Sequence, residues 1–273
     1  MEMHHLKVRV KDWISERFQG IDHVLVPSVP LEKFATFVNS ISPIDNGYKL
    51  VRVGPALDGS YLLPDDLSGV ALNISPGVGE TFNFEKELLE NYGIPSMMFD
   101  ASVDCPPNLP NEIEFIGKFV FPHNDSGVGV SIAEILSLAT EKLGSEEDFI
   151  LQMDIEGAEY EILKYVEPKD LSRFRIIAIE FHDMELWVQN AFYARTLLPI
   201  FSKLLEKFDV VHSRANNSSH TFYYKDYFIP STLELTFHRK DRLVSRNGER
   251  EMPSDLDFVD ALYTSQRTPF STK

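Results

Sequence analysis

The chain has 273 residues, 43% hydrophobic and 25% charged, the balance of an ordinary globular protein with room for a substantial core. Its net charge of −16 argues against a nucleic-acid partner, because such partners are held by clustered Lys and Arg, and it favours a small cationic or neutral ligand. No apolar run reaches the length of a membrane span, the N-terminus lacks the apolar core of a signal peptide, and the single cysteine, Cys105, excludes an internal disulfide framework, which together predict a cytoplasmic protein.

Residues 1–48 read as an N-terminal helical extension, with helical patterns around Val10 to Phe18 and Leu31 to Ile41 separated by Pro27 and Pro30. The adjacent His4 and His5 resemble a metal tract but are more simply solvated near a terminus. Leu50 to Gly54 and Tyr61 to Leu63 form an expected hairpin turning at Asp58-Gly59; Arg52 and Tyr61 lie close enough across it to face one site, and a surface hairpin with no function is the equal alternative.

From Val70 the pattern alternates strand and helix, which predicts a mainly parallel sheet with helices on both faces. Strands are expected at Val70 to Ile74, Ser96 to Phe99, Ile113 to Phe121, Phe149 to Met153, Phe174 to Phe181, Phe208 to Ser213 and Leu233 to Arg239. Helices fit at Glu85 to Tyr92, Ser131 to Leu143, Glu159 to Tyr165 and Tyr193 to Lys207. The last two strands have no good helix between them, so they should be antiparallel neighbours. The polar stretch 246–273 reads as a draped or partly disordered tail, leaving 49–245 as the main domain.

Two bends carry the chemistry. After the first core strand comes Ser75-Pro76-Gly77-Val78-Gly79, a glycine turn leading into a helix near Glu85 whose N-terminal amides suit a ligand. Asp100 follows about twenty residues on, placed to accept hydrogen bonds from a ribose. This combination indicates a nucleoside cofactor. Phe82 stands where a dinucleotide fingerprint has its third glycine, the final strand is unlike a standard dinucleotide fold, and the acidic balance suits a sulfonium better than a pyrophosphate, so S-adenosyl-L-methionine is favoured over NAD(P). The second bend is Asp154-Ile155-Glu156-Gly157-Ala158-Glu159, where a buried apolar strand runs into carboxylates at the edge of the sheet. Glu156 and Glu159 have a simpler reading as acids favouring the N-terminus of the next helix.

These residues, with Arg52-Val53-Gly54, Asp58-Gly59-Ser60-Tyr61, Glu180-Phe181-His182-Asp183, His212, Asn216-Asn217 and Pro230 through Thr236, resemble the FkbM-like S-adenosylmethionine-dependent methyltransferases over roughly Leu50 to Lys240. The resemblance implies a class I methyltransferase (Rossmann-like) α/β sheet of seven strands, mostly parallel with an antiparallel last strand, behind the N-terminal helical and hairpin extension. It implies O-methylation, with many relatives acting on sugars or glycan-like acceptors, and cofactor contacts at Arg52, Tyr61, Ser75, Gly77, Gly79, Glu85, Asp100, Ala101 and Asp154. The chain departs from the pattern at Asn73, where an acid is common, at Ser75, where the first glycine usually stands, and at Ser60, which replaces a glycine.

Methyl transfer to a hydroxyl requires alignment and removal of a proton, and the strand ends offer Asp154 with Glu156, Glu180 with His182 and Asp183, and His212 with Asn216 and Asn217. Histidine is the natural base near neutral pH, which leaves His182 or His212. A second possibility sets Asp154, Glu180 and His182 around Mg²⁺ or Mn²⁺. Against these stand His182 as a satisfied core histidine and Glu180 in a network with Arg173 or Arg175. His123, His220 and His238 read as structural or surface residues. Trp187, Phe192, Tyr193, Tyr223 and Tyr224 are candidate stacking faces for a sugar ring, although aromatic residues at such spacing also build cores. An NAD(P)-dependent oxidoreductase and a non-catalytic cofactor-binding domain remain as alternatives.

Overall fold

A computed structural model describes residues 26–56, 59–123, 129–216, 221–257 and 268–272. His4, His5, the Val10 to Phe18 helix, Asp58, Asn217 and His220 lie outside the described residues.

A seven-stranded sheet organises the α/β fold. In chain order its strands are β3 (Val70–Pro76), β4 (Ser96–Phe99), β5 (Ile113–Ile116), β8 (Asp148–Met153), β9 (Phe174–Phe181), β10 (Phe208–Asn216) and β13 (Thr232–Arg239); β1 (Leu50–Val53) and β2 (Tyr61–Pro64) form the hairpin, β6 (Phe119–Val120) and β7 (Gly129–Val130) a short parallel ribbon, and β11 (Phe222–Tyr224) and β12 (Tyr227–Ile229) a second hairpin. The order across the sheet is β10-β13-β9-β8-β3-β4-β5, with β13 antiparallel to both neighbours and the other pairs parallel. The order turns back at β3, with β4 on one side and β8 on the other, and this is where open α/β sheets bind ligands at the carboxyl ends of their strands.

The two faces of the sheet differ, and the period of two along each strand explains how. Phe149, Leu151, Ile177, Ile179, Phe181 and Phe237 join one large core with the helices, including Phe37 and Phe201. Ile150, Ile176 and Ala178 face the other way and pack under the hairpin with Val53, Tyr61, Leu63 and Phe84. Closer to the strand ends that second face becomes polar, carrying Gln152, Glu180, Glu234, Arg214 and His212, all buried.

The expected helices are present at Leu31–Ser40, Asn83–Tyr92, Ile132–Leu143 and Glu159–Tyr165, and a helical run from Asn190 to Lys207 includes a π-helical stretch over Tyr193–Leu197. Ser131 and Glu134 form a reciprocal capping box that fixes the start of the third. The expected strand Ile113 to Phe121 is interrupted at Gly117-Lys118, where Lys118 N–H donates to the Ile116 carbonyl at 2.7 Å. After β13, Glu249 bridges Ile44, and Arg250 N–H donates to the Pro43 carbonyl at 2.8 Å. Among the described residues no helix is long and apolar enough to cross a membrane.

Candidate active site

The glycine turn and the acidic bend touch through their main chains. Asp154 N–H donates to the Pro76 carbonyl at 3.2 Å, and Gly77 N–H donates to the Phe99 carbonyl at 2.9 Å. Gly77 has φ +78°, and a Cβ there would lie 1.7 Å from the Asp154 carbonyl oxygen, so only glycine permits the approach. Gly79 N–H then reaches Asp100 Oδ2 at 3.1 Å, while Asp100 Oδ1 accepts from Ser102 N–H at 2.7 Å and Ser102 Oγ at 2.6 Å. Gly77, Gly79, Asp100, Asp154 and Glu156 line one cleft of about 900 Å³, with Phe119 and Phe121 on its wall. That volume is ample for a nucleoside ligand.

Three expected cofactor contacts are placed differently. Ser75 and Glu85 are buried behind the turn, where Ser75 Oγ accepts from Asn73 Nδ2 at 2.9 Å and burial raises the Glu85 carboxyl above its ordinary range, opposed by its bond to Ser75. They support the turn without lining the cleft. Ala101 is exposed, and Ser102 lines the cleft instead.

The acidic bend is shaped by Glu159. This side chain is fully buried, and its Oε1 accepts from Ile155 N–H at 3.2 Å and Gly157 N–H at 3.1 Å while standing 3.0 Å from His182 Nδ1. The bend needs such bracing because Glu156 and Gly157 are both left-handed, at φ +56° and +104°, and a non-glycine residue there costs roughly 1–3 kcal/mol. The reversal brings the exposed Glu156 carboxylate to 3.4 Å from His182 Nε2, with Asp154 Oδ1 3.7 Å from the same nitrogen. Asp154 Oδ1 is buried and has no hydrogen-bond partner among the described residues.

Asp154, Glu156 and His182 each present one ligand atom, all within 4.8 Å of one another. The expected trio of Asp154, Glu180 and His182 is corrected at one member. Glu180 points to the polar face under the hairpin, where Asn216 Nδ2 donates to its Oε1 at 3.0 Å; Arg173 and Arg175 bond elsewhere, to Thr140 and Asp148. The signal for Glu156 was the glycine after it, which allows the chain to double back.

One electrostatic cause moves two groups in the same direction. Burial, then the charges of Glu180, Glu156 and Glu159, raise Asp154 from 3.8 to about 8, with His182 opposing. At His182 burial disfavours the charged ring, but the bond to Glu159 and the charges of Glu159, Glu180 and Asp154 outweigh it and raise the imidazole to about 9. The nearby carboxylates outnumber the one imidazole, and their surplus negative charge favours the protonated form of both groups.

Residues 111–209 match the family model described as the methyltransferase FkbM domain. This stretch is thus similar to the FkbM-like methyltransferases. The match takes in the acidic bend, Glu180 and His182, whereas the glycine turn and Asp100 precede it. No curated protein matches the chain.

The candidate site does not include every expected residue. His212 is not on the cleft wall: β10 continues to Asn216, so His212 lies within the strand, its Nε2 3.0 Å from Asp257 Oδ1. Arg52 and Tyr61 do not face one site, because the hairpin register pairs Val53 with Tyr61 and Arg52 with Leu62, and alternate pairs face opposite ways. Tyr61 accepts from Gln152 Nε2 at 3.3 Å, and burial followed by the charges of Asp154, Glu180 and Glu234 pushes its phenol up, so it packs near the acids as a neutral hydroxyl. Arg52 shares a small pocket with His212 and Arg214. His238 is structural, with Nε2 3.1 Å from Asp66 Oδ2 and Nδ1 2.6 Å from Asn46 Nδ2.

The sugar-stacking expectation for Trp187 is overturned. Its ring is wholly buried between Phe37, Phe181 and Phe201, and its Nε1–H donates to Tyr160 Oη at 2.6 Å. Tyr160 O–H in turn donates to the His182 carbonyl at 2.6 Å. Trp187 therefore braces the histidine from behind. Trp187→Ala should destabilise the domain by about 3–5 kcal/mol, checked by denaturant unfolding; a loss below 1 kcal/mol would contradict this role. Tyr193 and Tyr224 are also buried, bonding the Lys33 and Val29 carbonyls, while Phe192 packs edge-on against Tyr160 and Tyr223 is exposed.

Proposed function

We propose that residues 49–245 form an S-adenosyl-L-methionine-dependent O-methyltransferase of the class I type, acting on a hydroxyl of a sugar or glycan. The observation that carries this is the main-chain docking of the Gly77 turn onto the Asp154 bend, because it ends a nucleoside-sized cleft at a cluster of acids and one imidazole. The surplus negative charge there suits the donor's sulfonium. Asp100 keeps acceptor capacity for ribose hydroxyls, since its oxygens offer about four lone-pair sites and three are engaged.

In the reaction a hydroxyl oxygen attacks the methyl carbon in line; the carbon–oxygen bond forms as the carbon–sulfur bond breaks, and the hydroxyl proton passes to His182 Nε2. Glu159 sets this up by accepting from Nδ1–H, which leaves Nε2 as the basic nitrogen of the neutral ring. A positive donor beside the cluster lowers the affinity of His182 for its proton, so donor binding primes the base. The expected kcat/KM rises with pH toward about 9 in the wild type, and His182→Gln should lose that limb and on the order of 100-fold or more in rate. A pH profile unchanged by the substitution would exclude His182 as the base.

Asp154 Oδ1, with no hydrogen-bond partner among the described residues, favours a second reading in which Asp154, Glu156 and His182 hold Mg²⁺ or Mn²⁺. Two oxygens and one nitrogen suit these ions, and Glu159 behind His182 is the carboxylate support that metal-bound histidines usually have. The ion, when bound, would lower the pKa of the acceptor hydroxyl. Full activity after exhaustive EDTA dialysis would eliminate this reading. Calorimetry with S-adenosylmethionine and with NADPH, followed by a labelled-donor screen over sugars and glycosides, tests the main one: tight binding of NADPH alone would favour an oxidoreductase, and donor binding without turnover a non-catalytic domain.

A further inference from the structure

His182 is held at two points by consecutive residues of the helix Glu159–Tyr165. Glu159 Oε1 stands 3.0 Å from the imidazole Nδ1, and Tyr160 O–H donates to the His182 main-chain carbonyl at 2.6 Å. Chemistry fixes the direction of the second hold. An indole N–H can only donate and a carbonyl can only accept, so Trp187 Nε1–H takes a lone pair of the Tyr160 oxygen at 2.6 Å, and the single phenol proton goes to His182. Tyr160 is buried and its ring meets Phe192 edge-on, which leaves the hydroxyl no room to turn elsewhere.

That carbonyl belongs to the peptide joining His182 to Asp183, and Asp183 is left-handed at φ +52°. A non-glycine residue is strained there and persists only where its surroundings hold it. The strain falls just where the chain leaves β9, which ends at Phe181, one residue before the imidazole. The same reversal carries Asp183 Oδ2 to 3.1 Å from where a Cβ on Gly157 would stand, so it also seats against the acidic bend. We propose that Tyr160 is a positioning residue for His182: its hydroxyl pins the peptide with Asp183 left-handed, and this keeps Nδ1 on Glu159 and Nε2 beside Asp154 and Glu156. Without the hydroxyl the peptide is free to rotate, Asp183 relaxes out of the left-handed region, and the imidazole leaves Glu159. The inference deepens the reading of His182 as the base and takes its functional meaning from that reading; Tyr160 itself touches no reacting atom.

The test observes the imidazole directly and needs neither donor nor acceptor. In proton NMR of the wild-type chain, the His182 Nδ1–H held by buried Glu159 should give a downfield, slowly exchanging resonance, assigned by its absence from His182→Gln. Tyr160→Phe removes one oxygen and should make that proton exchange about tenfold faster or more, or lose the resonance altogether. Adding Asp183→Gly to Tyr160→Phe should restore it, because glycine takes the left-handed conformation without strain. Trp187→Phe alone leaves the Tyr160 hydroxyl on its carbonyl and should retain it. Should Tyr160→Phe fail to fold, Tyr160→Phe combined with Trp187→Phe leaves no orphaned indole N–H and carries the same expectation. A wild type without the resonance, a resonance unchanged in folded Tyr160→Phe, or one that Asp183→Gly fails to restore overturns the proposal. The assignment of the base is tested apart from this, by the pH profile of His182→Gln, so the two can fail separately.

Discussion

Asp154→Asn should lower turnover by about 1,000-fold while leaving S-adenosylmethionine affinity within a few-fold of the wild type. The substitution keeps the main-chain contact to Pro76 and the shape of the cleft, and it removes the titrating carboxyl that lines the cleft beside His182. It should also make the protein more stable in alkaline solution. The folded state raises Asp154 from 3.8 to about 8, so the folded chain holds this proton more tightly than the unfolded one. Stability therefore falls as pH rises from about 4 to about 8. His182, raised from 6.5 to about 9, adds to the same trend: its contribution is present below about 6.5 and is lost through about 9. Asparagine has no such penalty. Melting curves should show a Tm advantage for Asp154→Asn that is small at pH 5 and grows by several degrees by pH 8. An advantage independent of pH, or a parallel loss of donor affinity and turnover, would contradict the assignment.

Gly77→Ala should abolish donor binding and destabilise the domain by about 3 kcal/mol or more, because two penalties combine. The added Cβ meets main chain 1.7 Å away, which has no rotamer to move aside, and a left-handed backbone at +78° is strained for alanine. Gly79→Ala is the control. It shares a positive φ, +57°, but its Cβ would meet nothing within 4 Å, so only the backbone cost of about 1 kcal/mol is expected. Thermal melts and donor calorimetry on the pair separate conformational strain from the docking of the bends. Equal effects at the two glycines would mean that the contact with Asp154 is unimportant.

The sheet was legible because its inner strands are nearly continuous apolar runs, and Phe149 to Met153 and Phe174 to Phe181 could hardly be anything else. The break at Gly117-Lys118 was missed because apolar residues continue on both sides of it. Site residues were harder, since their placement depends on where a strand stops. Ending β10 at Ser213 put His212 on the rim of the sheet; three further residues of strand keep it inside, under the hairpin. The alternation His212, Arg214, Asn216 against Glu234, Thr236, His238 was present in the sequence and describes one polar face, but sequence alone did not say that β1 and β2 roof it. Glu159 read as an ordinary helix-start acid, and only its burial reveals that it braces the bend and orients His182. Trp187 followed the strand expected to reach the site, yet its indole N–H found a partner in the core.

The central claim is that the glycine turn and the acidic bend form one donor site. A crystal structure with S-adenosylhomocysteine measures it directly: the nucleoside should lie along Gly77 to Gly79 with its ribose hydroxyls on Asp100 and its sulfur facing Asp154. A nucleoside bound elsewhere, or one whose sulfur points away from the Asp154, Glu156 and His182 cluster, would contradict the account.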